Sequence, residues 1–463
     1  MPEDIRHMPT RRLRPVLLIL LLVILAAPVR PSHAAAAGAD LVFEAIQLLD
    51  TEYVDQAQVE RTRLLNAALE GMKEALGVAG VTARFAGIAP GTPAAEAQQV
   101  FRAAFDAAVT VGRGKMTPRE LAYAAIRAVT ASLNDSHTGF VTPEQYRERL
   151  ARQRQQAGFT GVGMVVMPRD ARFYVWQVIP RSPADRQGVR QFDRIIRINN
   201  VPTGGLTSDQ VVSMIRGPAG TRVTVTFERP GRPGTFAVAM TRAPIVVPAV
   251  LVARTLEREI GYIYLYEFSR GSARDLRRAL QTQLGRGLKG LILDLRGNTG
   301  GFLPELDGVL NLFLPRGVPV YQSSTSKGTD VVRTTRSPLL PLAMPLVVLV
   351  NENTASAAEL LAAAVAEHQR GRLVGVKTAG AVEASTLFEL SDGSALSVTI
   401  WRLSTGKGRR LEGVGITPEV VLDLTAEDFL QGRDAQVSRG VQIARQVLGR
   451  TIPAAPSPVP TSR

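Results

Sequence analysis

Apolar and polar positions along this chain fall into three successive patterns. From residue 40 to 155 the period is helical. Leu41–Leu49, Arg61–Leu76, Ala95–Val111 and Pro118–Leu133 each place apolar residues three and four apart. Ala83–Pro93, rich in Gly, Ala and Pro, predicts a loop, and Arg147–Gln156 a charged, Gln-rich connector. From Phe159 to about Arg242 the period is that of strands, in Phe173-Tyr-Val-Trp-Gln-Val-Ile, Arg194-Ile-Ile-Arg-Ile and Arg222-Val-Thr-Val-Thr-Phe. From Leu256 the two alternate. Ile260–Tyr266, Gly290–Leu295 and Leu346–Asn351 predict strands, and Ser272–Leu284, Pro304–Phe313 and Ala357–Glu367 predict helices. That order predicts an α/β sheet with crossover helices in the third part. The fold class is therefore α+β multidomain, with parts expected at 40–155, 157–243 and 250–430. Residues 452–463, rich in proline, predict a disordered tail.

The chain has 463 residues, room for about three domains. Its formal charge is +14, yet the basic residues are scattered and no Lys/Arg block interleaves with aromatics. That pattern argues for a solvated basic surface and against a nucleic-acid partner. There is no cysteine, which excludes disulfides and thiolate chemistry. Histidines are few and never at His-x-x-x-His spacing, so neither a metal nor another cofactor is expected. Arg11, Arg12 and Arg14 precede an apolar run from Pro15 to Val29, followed by Ser32-His33-Ala34. This is the order of a signal peptide, expected over 1–36, and predicts a secreted, periplasmic or cell-envelope location. The run is short for a span, and contact with a membrane is expected only if it stays uncleaved.

Two strand ends carry candidate chemistry. The run Val347–Val350 stops at Asn351–Thr354, and a helical pattern restarts behind Ser356. A serine at a strand-to-helix turn has an exposed hydroxyl beside free amides and a positive helix end. The plain alternative is a helix cap. Leu291-Ile-Leu-Asp-Leu-Arg-Gly-Asn-Thr-Gly-Gly is a buried strand opening into a glycine turn, where a backbone N–H can point at a carbonyl oxygen. Asp294 and Arg296, two residues apart, fit a structural ion pair. Gly161-Val-Gly lacks the context and the lysine of a phosphate loop.

The middle part resembles a PDZ domain. Gly161-Val162-Gly163-Met164 matches the loop that offers amides to a peptide C-terminal carboxylate, and Ser182 through Asn199 matches the helix-turn-strand signature. Phe192 departs from it, standing where glycine is usual. The resemblance implies strand addition, with an extended peptide pairing with a sheet edge.

The Gly300-Gly301 turn, Asn351–Glu359 and Leu411-Glu-Gly-Val-Gly-Ile-Thr-Pro-Glu, in this order and with a PDZ-like part before them, resemble the C-terminal processing (tail-specific) serine peptidases. The resemblance covers about residues 40–425 and implies an α/β, crotonase-like core. It puts Ser356 at the nucleophile and the Ala357 amide at one oxyanion donor, with the other from Gly300 or Gly301. Most of the family uses a lysine base in Thr-Phe-Gly-Lys-Gly. Here the matching stretch is Lys377-Thr378-Ala379-Gly380-Ala381-Val382, and alanine cannot accept a proton. Ser385 likewise replaces an assisting glutamine.

Three accounts of the missing base stand. The chain resembles the tricorn branch at Asp135-Ser136-His137 and at Glu412-Gly-Val-Gly, which implies His137 as base, Glu412 as its supporting carboxylate and a hydrogen bond from Ser136. Lys377, four residues ahead of Ala381, could instead serve, with Lys407 behind it. His368, twelve residues past Ser356 on one helix, cannot reach. In the third account there is no base, and the chain is a PDZ adaptor for envelope-protein C-termini on a degenerate peptidase scaffold. The expectation is an extracytoplasmic serine endopeptidase acting on proteins with a free C-terminus, its PDZ part moving as a tethered module.

Overall fold

The computed structural model describes residues 38–135, 137–155, 159–257 and 259–451. The expected signal segment, Ser136 and the expected tail lie outside these residues. No helix among the described residues is long and apolar enough to cross a membrane.

The first part packs four helices, Ala39–Glu52, Arg61–Val78, Ala94–Val111 and Pro118–Ala131. Their apolar stripes bury Leu49, Leu64, Phe101, Ala125 and Ile126 in one core. Thr117 starts the last of these with a capping box: Glu120 N–H donates to its hydroxyl while the Glu120 carboxylate accepts from the Thr117 amide. The connector expected at 147–156 is helical instead, within Pro143–Gln155. Thr142 and Gln145 exchange capping bonds ahead of it, and Glu, Arg and Leu favour helix without any apolar face to announce it.

The α/β part centres on a six-stranded sheet ordered Val250–Leu256, Ile260–Leu265, Gly290–Asp294, Leu346–Val350, Arg372–Gly375 and Val420–Val421. Its first pair is antiparallel and the rest are parallel. Alternate residues serve opposite faces. Leu291, Leu293 and Val348 meet helices Ser272–Gly285, Leu303–Phe313 and Ala357–Glu367. Ile292 and Val347 meet Val441 and Ala444 of the helix Ala435–Thr451. Burial on both faces explains the uninterrupted apolar strands.

A second, antiparallel sheet joins the helical part to this core. Its long strand Ala395–Thr405 pairs with Pro319–Thr325, with Ala384–Glu389 and with Gly139–Val141. Leu396 and Val398 extend from it into the helical core. The short strand Gly139–Val141 thereby carries the end of the helical part, His137 included, onto the α/β part.

The middle part is a six-stranded sheet beginning at the edge strand Met164–Arg169. It is closed by Phe159–Gly161 pairing with Ala243–Ile245. It packs against the core through an aromatic group: Phe429 lies 4.8 Å from Tyr174 and 5.6 Å from Phe192 between ring centroids. Phe192, in the place of the usual glycine, has φ 69°. A left-handed non-glycine residue costs about 1–2 kcal/mol, which its ring contacts with Phe429 and Trp176 offset. Beneath this group lies Arg296, 1 % exposed, bonded to Asp294, Asp434 and Gln436 and 4.6 Å from the Trp176 ring centroid.

Candidate active site

Ser356 sits between the strand Leu346–Val350 and the helix Ala357–Glu367 with φ 54° and ψ −124°. This is backbone strain in a non-glycine residue, held because the turn is tied down on every side. Thr354 donates through its hydroxyl to Leu295 O at 2.9 Å and accepts from the Asn351 amide at 3.0 Å. The Ala355 amide donates to Asn298 O at 2.9 Å. The 11-residue helix behind Ser356 adds its positive end.

The facing glycine turn follows Asp294 and Arg296. Tyr262 and Tyr264 donate to Asp294 Oδ2 and Arg296 O, both at 2.7 Å. Asn351 Oδ1 accepts from the Gly297 amide, and Asn298 Oδ1 from the Gly300 amide, both at 2.8 Å. Gly300 has φ +93°, and a Cβ there would fall 2.6 Å from Ser356 Cβ and 2.8 Å from Ala357 N. Only glycine allows that approach. The amides of the pair are not equivalent. Gly300 N–H is engaged by Asn298, whereas Gly301 N–H and Ala357 N–H have no acceptor among the described residues. Phe268 takes bonds from the residues either side of Gly301, donating to Gly300 O and accepting from the Phe302 amide, both at 2.9 Å. In that parallel pairing the Gly301 amide turns away from Phe268.

The sequence pattern gave no role to Glu359, yet it organises the site. It is wholly buried. Its Oε1 accepts from Thr378 Oγ1 at 2.5 Å and Gly380 N–H at 2.8 Å, and its Oε2 from Ala381 N–H at 2.9 Å and Ser356 N–H at 3.1 Å. Glutamate three residues behind a helix-starting serine is a capping-box spacing, the signal that was available. Ala381, where the resemblance would place the lysine, lies against the Ser356 turn: its carbonyl accepts from Ser356 N–H at 2.8 Å.

Glu412 sits on the next turn, stitched to the same loop by Gly413 N–H to Gly380 O at 2.8 Å and Ile416 N–H to Thr378 Oγ1 at 2.7 Å. Its Oε2 accepts from the Val382 and Glu383 amides at 2.8 and 2.9 Å, and its Oε1 lies 3.1 Å from His137 Nε2. His137 is fixed from behind. Its amide donates to Asp135 Oδ1 at 2.9 Å, and its carbonyl accepts from Ser397 Oγ at 2.8 Å. Asp135 also accepts from Thr138 Oγ1 at 2.7 Å. Burial pushes the Asp135 carboxyl up, but hydrogen bonds from Thr399, His137 and Thr138 outweigh it and leave it below the ordinary range.

Ser356, Ala357, Gly300 and Gly301 thus meet at one turn, and Glu412 and His137 pair on the loop that borders it; no hydrogen bond joins His137 to Ser356 among the described residues. Ser136 lies outside them. Lys377 makes no hydrogen bond or ion pair among them, Lys407 is exposed, and His368 is engaged with Pro319 O at 2.7 Å. No group of His, Asp and Glu among the described residues is clustered to hold a metal.

In the middle part the Gly161–Met164 loop is tightly built. Ile179 N–H donates to Gly163 O at 2.9 Å and Ala184 N–H to Val162 O at 2.8 Å. A Cβ on Gly163, at φ +80°, would lie 2.2 Å from Ser182 Cβ. The Val162 and Gly163 amides have no acceptor among the described residues, which is the arrangement of an anion nest.

Comparison with known proteins gives the family. Peptidase family S41 matches residues 259–422 and the PDZ domain residues 148–228. A chloroplastic carboxyl-terminal-processing peptidase 2 of Arabidopsis thaliana is 34 % identical over 318 residues, 66 % of this chain. The match spans 61 % of that relative's length, less than two thirds. A carboxyl-terminal-processing protease of Synechocystis sp. is 32 % identical over 316 residues, 68 % of this chain and 74 % of the relative. A crystal structure described as an S41 protease of Bacteroides fragilis aligns over 87 % of this chain and 97 % of its own with a TM-score of 0.53. At 14 % identity that likeness concerns the fold alone. Motifs, fold and relatives agree: the chain belongs to peptidase family S41, the carboxyl-terminal-processing peptidases that carry a PDZ domain.

Proposed function

We propose that the protein is a serine endopeptidase that cleaves polypeptides whose free C-termini its PDZ domain captures, and that it acts outside the cytoplasm. Ser356 is the nucleophile, His137 the general base and Glu412 the carboxylate that orients and stabilises the imidazolium. What supports this above all is one relay of hydrogen bonds. Ser356 N–H reaches Ala381 O, the adjoining Val382 N–H reaches Glu412, and Glu412 reaches His137. An imidazole and a carboxylate therefore flank the loop from which the family's lysine would act.

A substrate carbonyl enters with its oxygen toward the Ala357 and Gly301 amides, donors near Ser356 that no acceptor among the described residues engages. As Ser356 Oγ attacks, its proton passes to His137, whose ring closes onto the hydroxyl in the substrate complex; such contacts are often long in the free enzyme. The oxyanion is held by the two amides and the helix end. The leaving amine takes the proton from His137. A water then releases the acyl group from Ser356 by the same steps in reverse order. Export is supported by the arginines before the apolar run Pro15–Val29.

A fluorophosphonate probe tests the assignment. The wild type should label and turn over peptides, Ser356→Ala should do neither, and His137→Ala should lose at least about 100-fold in labelling rate. Lys377→Ala should keep both activities. A dead Lys377→Ala variant would move the base to that lysine. Failure of the wild type to label would leave the PDZ adaptor on a degenerate scaffold.

A further inference from the structure

Among the described residues the edge strand Met164–Arg169 pairs on one side only, with Arg172–Val178. Its side chains are committed on both faces: Met164 and Val166 pack in the PDZ core, Val165 and Met167 against the peptidase core. Only its backbone edge is left for a ligand. Which groups that edge offers follows from the register. Ile179 N–H donates to Gly163 O, so Met164 opposite Val178 is a non-bonded pair whose N–H and C=O face outward. Val175, opposite Val166, uses its N–H and C=O on Asp193 and Phe192, so Val166 also faces outward. The next outward position is Pro168, exposed and opposite Phe173. It has a carbonyl but no N–H. Beyond it Asp170 and Ala171, both at positive φ, turn the chain back toward Arg172.

We infer that Pro168 sets how much of a polypeptide C-terminus this domain reads. This rests on the PDZ receptor function proposed above. A tail running antiparallel to the strand, its carboxylate on the Val162 and Gly163 amides, sets its last residue opposite Met164 and the second before it opposite Val166. Both rungs are complete. The residue four before the end faces Pro168, where its carbonyl finds no donor. The ligand class is therefore a short free C-terminus of four to five residues, after which the upstream polypeptide leaves the edge and is free to run toward Ser356. Proline on an edge strand also prevents sheets from adding to one another, and here it does so without closing the two rungs nearest the carboxylate nest.

The test uses the full chain carrying Ser356→Ala, so that ligands survive, and fluorescent peptides of three to eight residues with one shared C-terminal sequence. Affinity should rise to the fourth or fifth residue and then stay within twofold. Pro168→Ala should leave the tetrapeptide unchanged and tighten peptides of five residues and more about fivefold, one hydrogen bond's worth. Affinity that keeps climbing through the eighth residue in the wild type overturns the inference, as does a Pro168→Ala gain equal at all lengths or absent. C-terminally amidated peptides separate the two levels: if amidation costs nothing at any length, the receptor function itself fails.

Discussion

Glu359→Gln probes whether one buried carboxylate assembles the site. Glu359 takes two donors on each oxygen: Thr378 Oγ1 and the Gly380 amide on one, the Ala381 and Ser356 amides on the other. Glutamine has one acceptor oxygen. With its NH2 toward Ala381 and Ser356, the Ala381 amide faces a donor while Ser356 N–H keeps its bond to Ala381 O. With the NH2 toward Thr378 the hydroxyl can rotate to accept, and the Gly380 amide is the one left facing a donor. Either arrangement loses charge-assisted bonding and leaves one buried amide unmet, about 3 kcal/mol together. Guanidinium denaturation should therefore show an unfolding free energy lower by that amount, read as a lower midpoint at unchanged slope. The same bonds hold Ser356 and Ala381, and displacement of order 1 Å costs about 100-fold in rate. Probe labelling of the still-folded variant should fall accordingly. A variant within about 1 kcal/mol of wild type, labelling at a similar rate, would refute the role drawn for Glu359.

Two further outcomes follow from the same loop and its neighbour. In a His137→Ala background, Ala381→Lys brings an amine to the family's usual base position beside Ser356, and labelling should recover with a more alkaline optimum than the wild type; no recovery at any pH would mean the loop no longer aims that position at Ser356. Asp135 has a folded pKa below its ordinary value of 3.8, so it stabilises the fold in full above that pH and loses its contribution as pH falls toward the lower folded value. The melting-temperature gap between wild type and Asp135→Asn should accordingly be flat above about pH 5 and narrow below pH 3.8, and a gap that widens on acidification would contradict it.

How much of this was legible beforehand depends on the range of the physics. The strands Gly290–Asp294 and Leu346–Val350 and the helix Ala357–Glu367 announce themselves through local period and burial. So did the resemblance that set Ser356 beside the glycine turn, because short-range turn chemistry carries it. Which of the Gly300 and Gly301 amides is left without an acceptor was not legible, since it rests on Asn298 engaging one and Phe268 flanking the other. The meeting of His137 with Glu412 depends on Gly139–Val141 pairing with a strand more than 250 residues later, which no local pattern records. The connector expected at 147–156 has no apolar face to mark the helix Pro143–Gln155, and the helix Ala435–Thr451, which packs on the middle strands of the main sheet, is not among the expected elements.

Arg296 immediately precedes Gly297, the first residue of the glycine turn, and its guanidinium is enclosed by Asp294, by Asp434 and Gln436 ahead of and within the last helix, and by Trp176 of the PDZ domain. Three separate stretches of chain thus form a clasp around a single cation. A PDZ domain swinging outward would lift its indole off that cation and admit water to a charge otherwise sealed, so such a swing opposes a restoring force centred on the turn itself. Under the proposed mechanism, tension on a captured tail would accordingly be transmitted to the peptide units of the turn that carries Gly300 and Gly301.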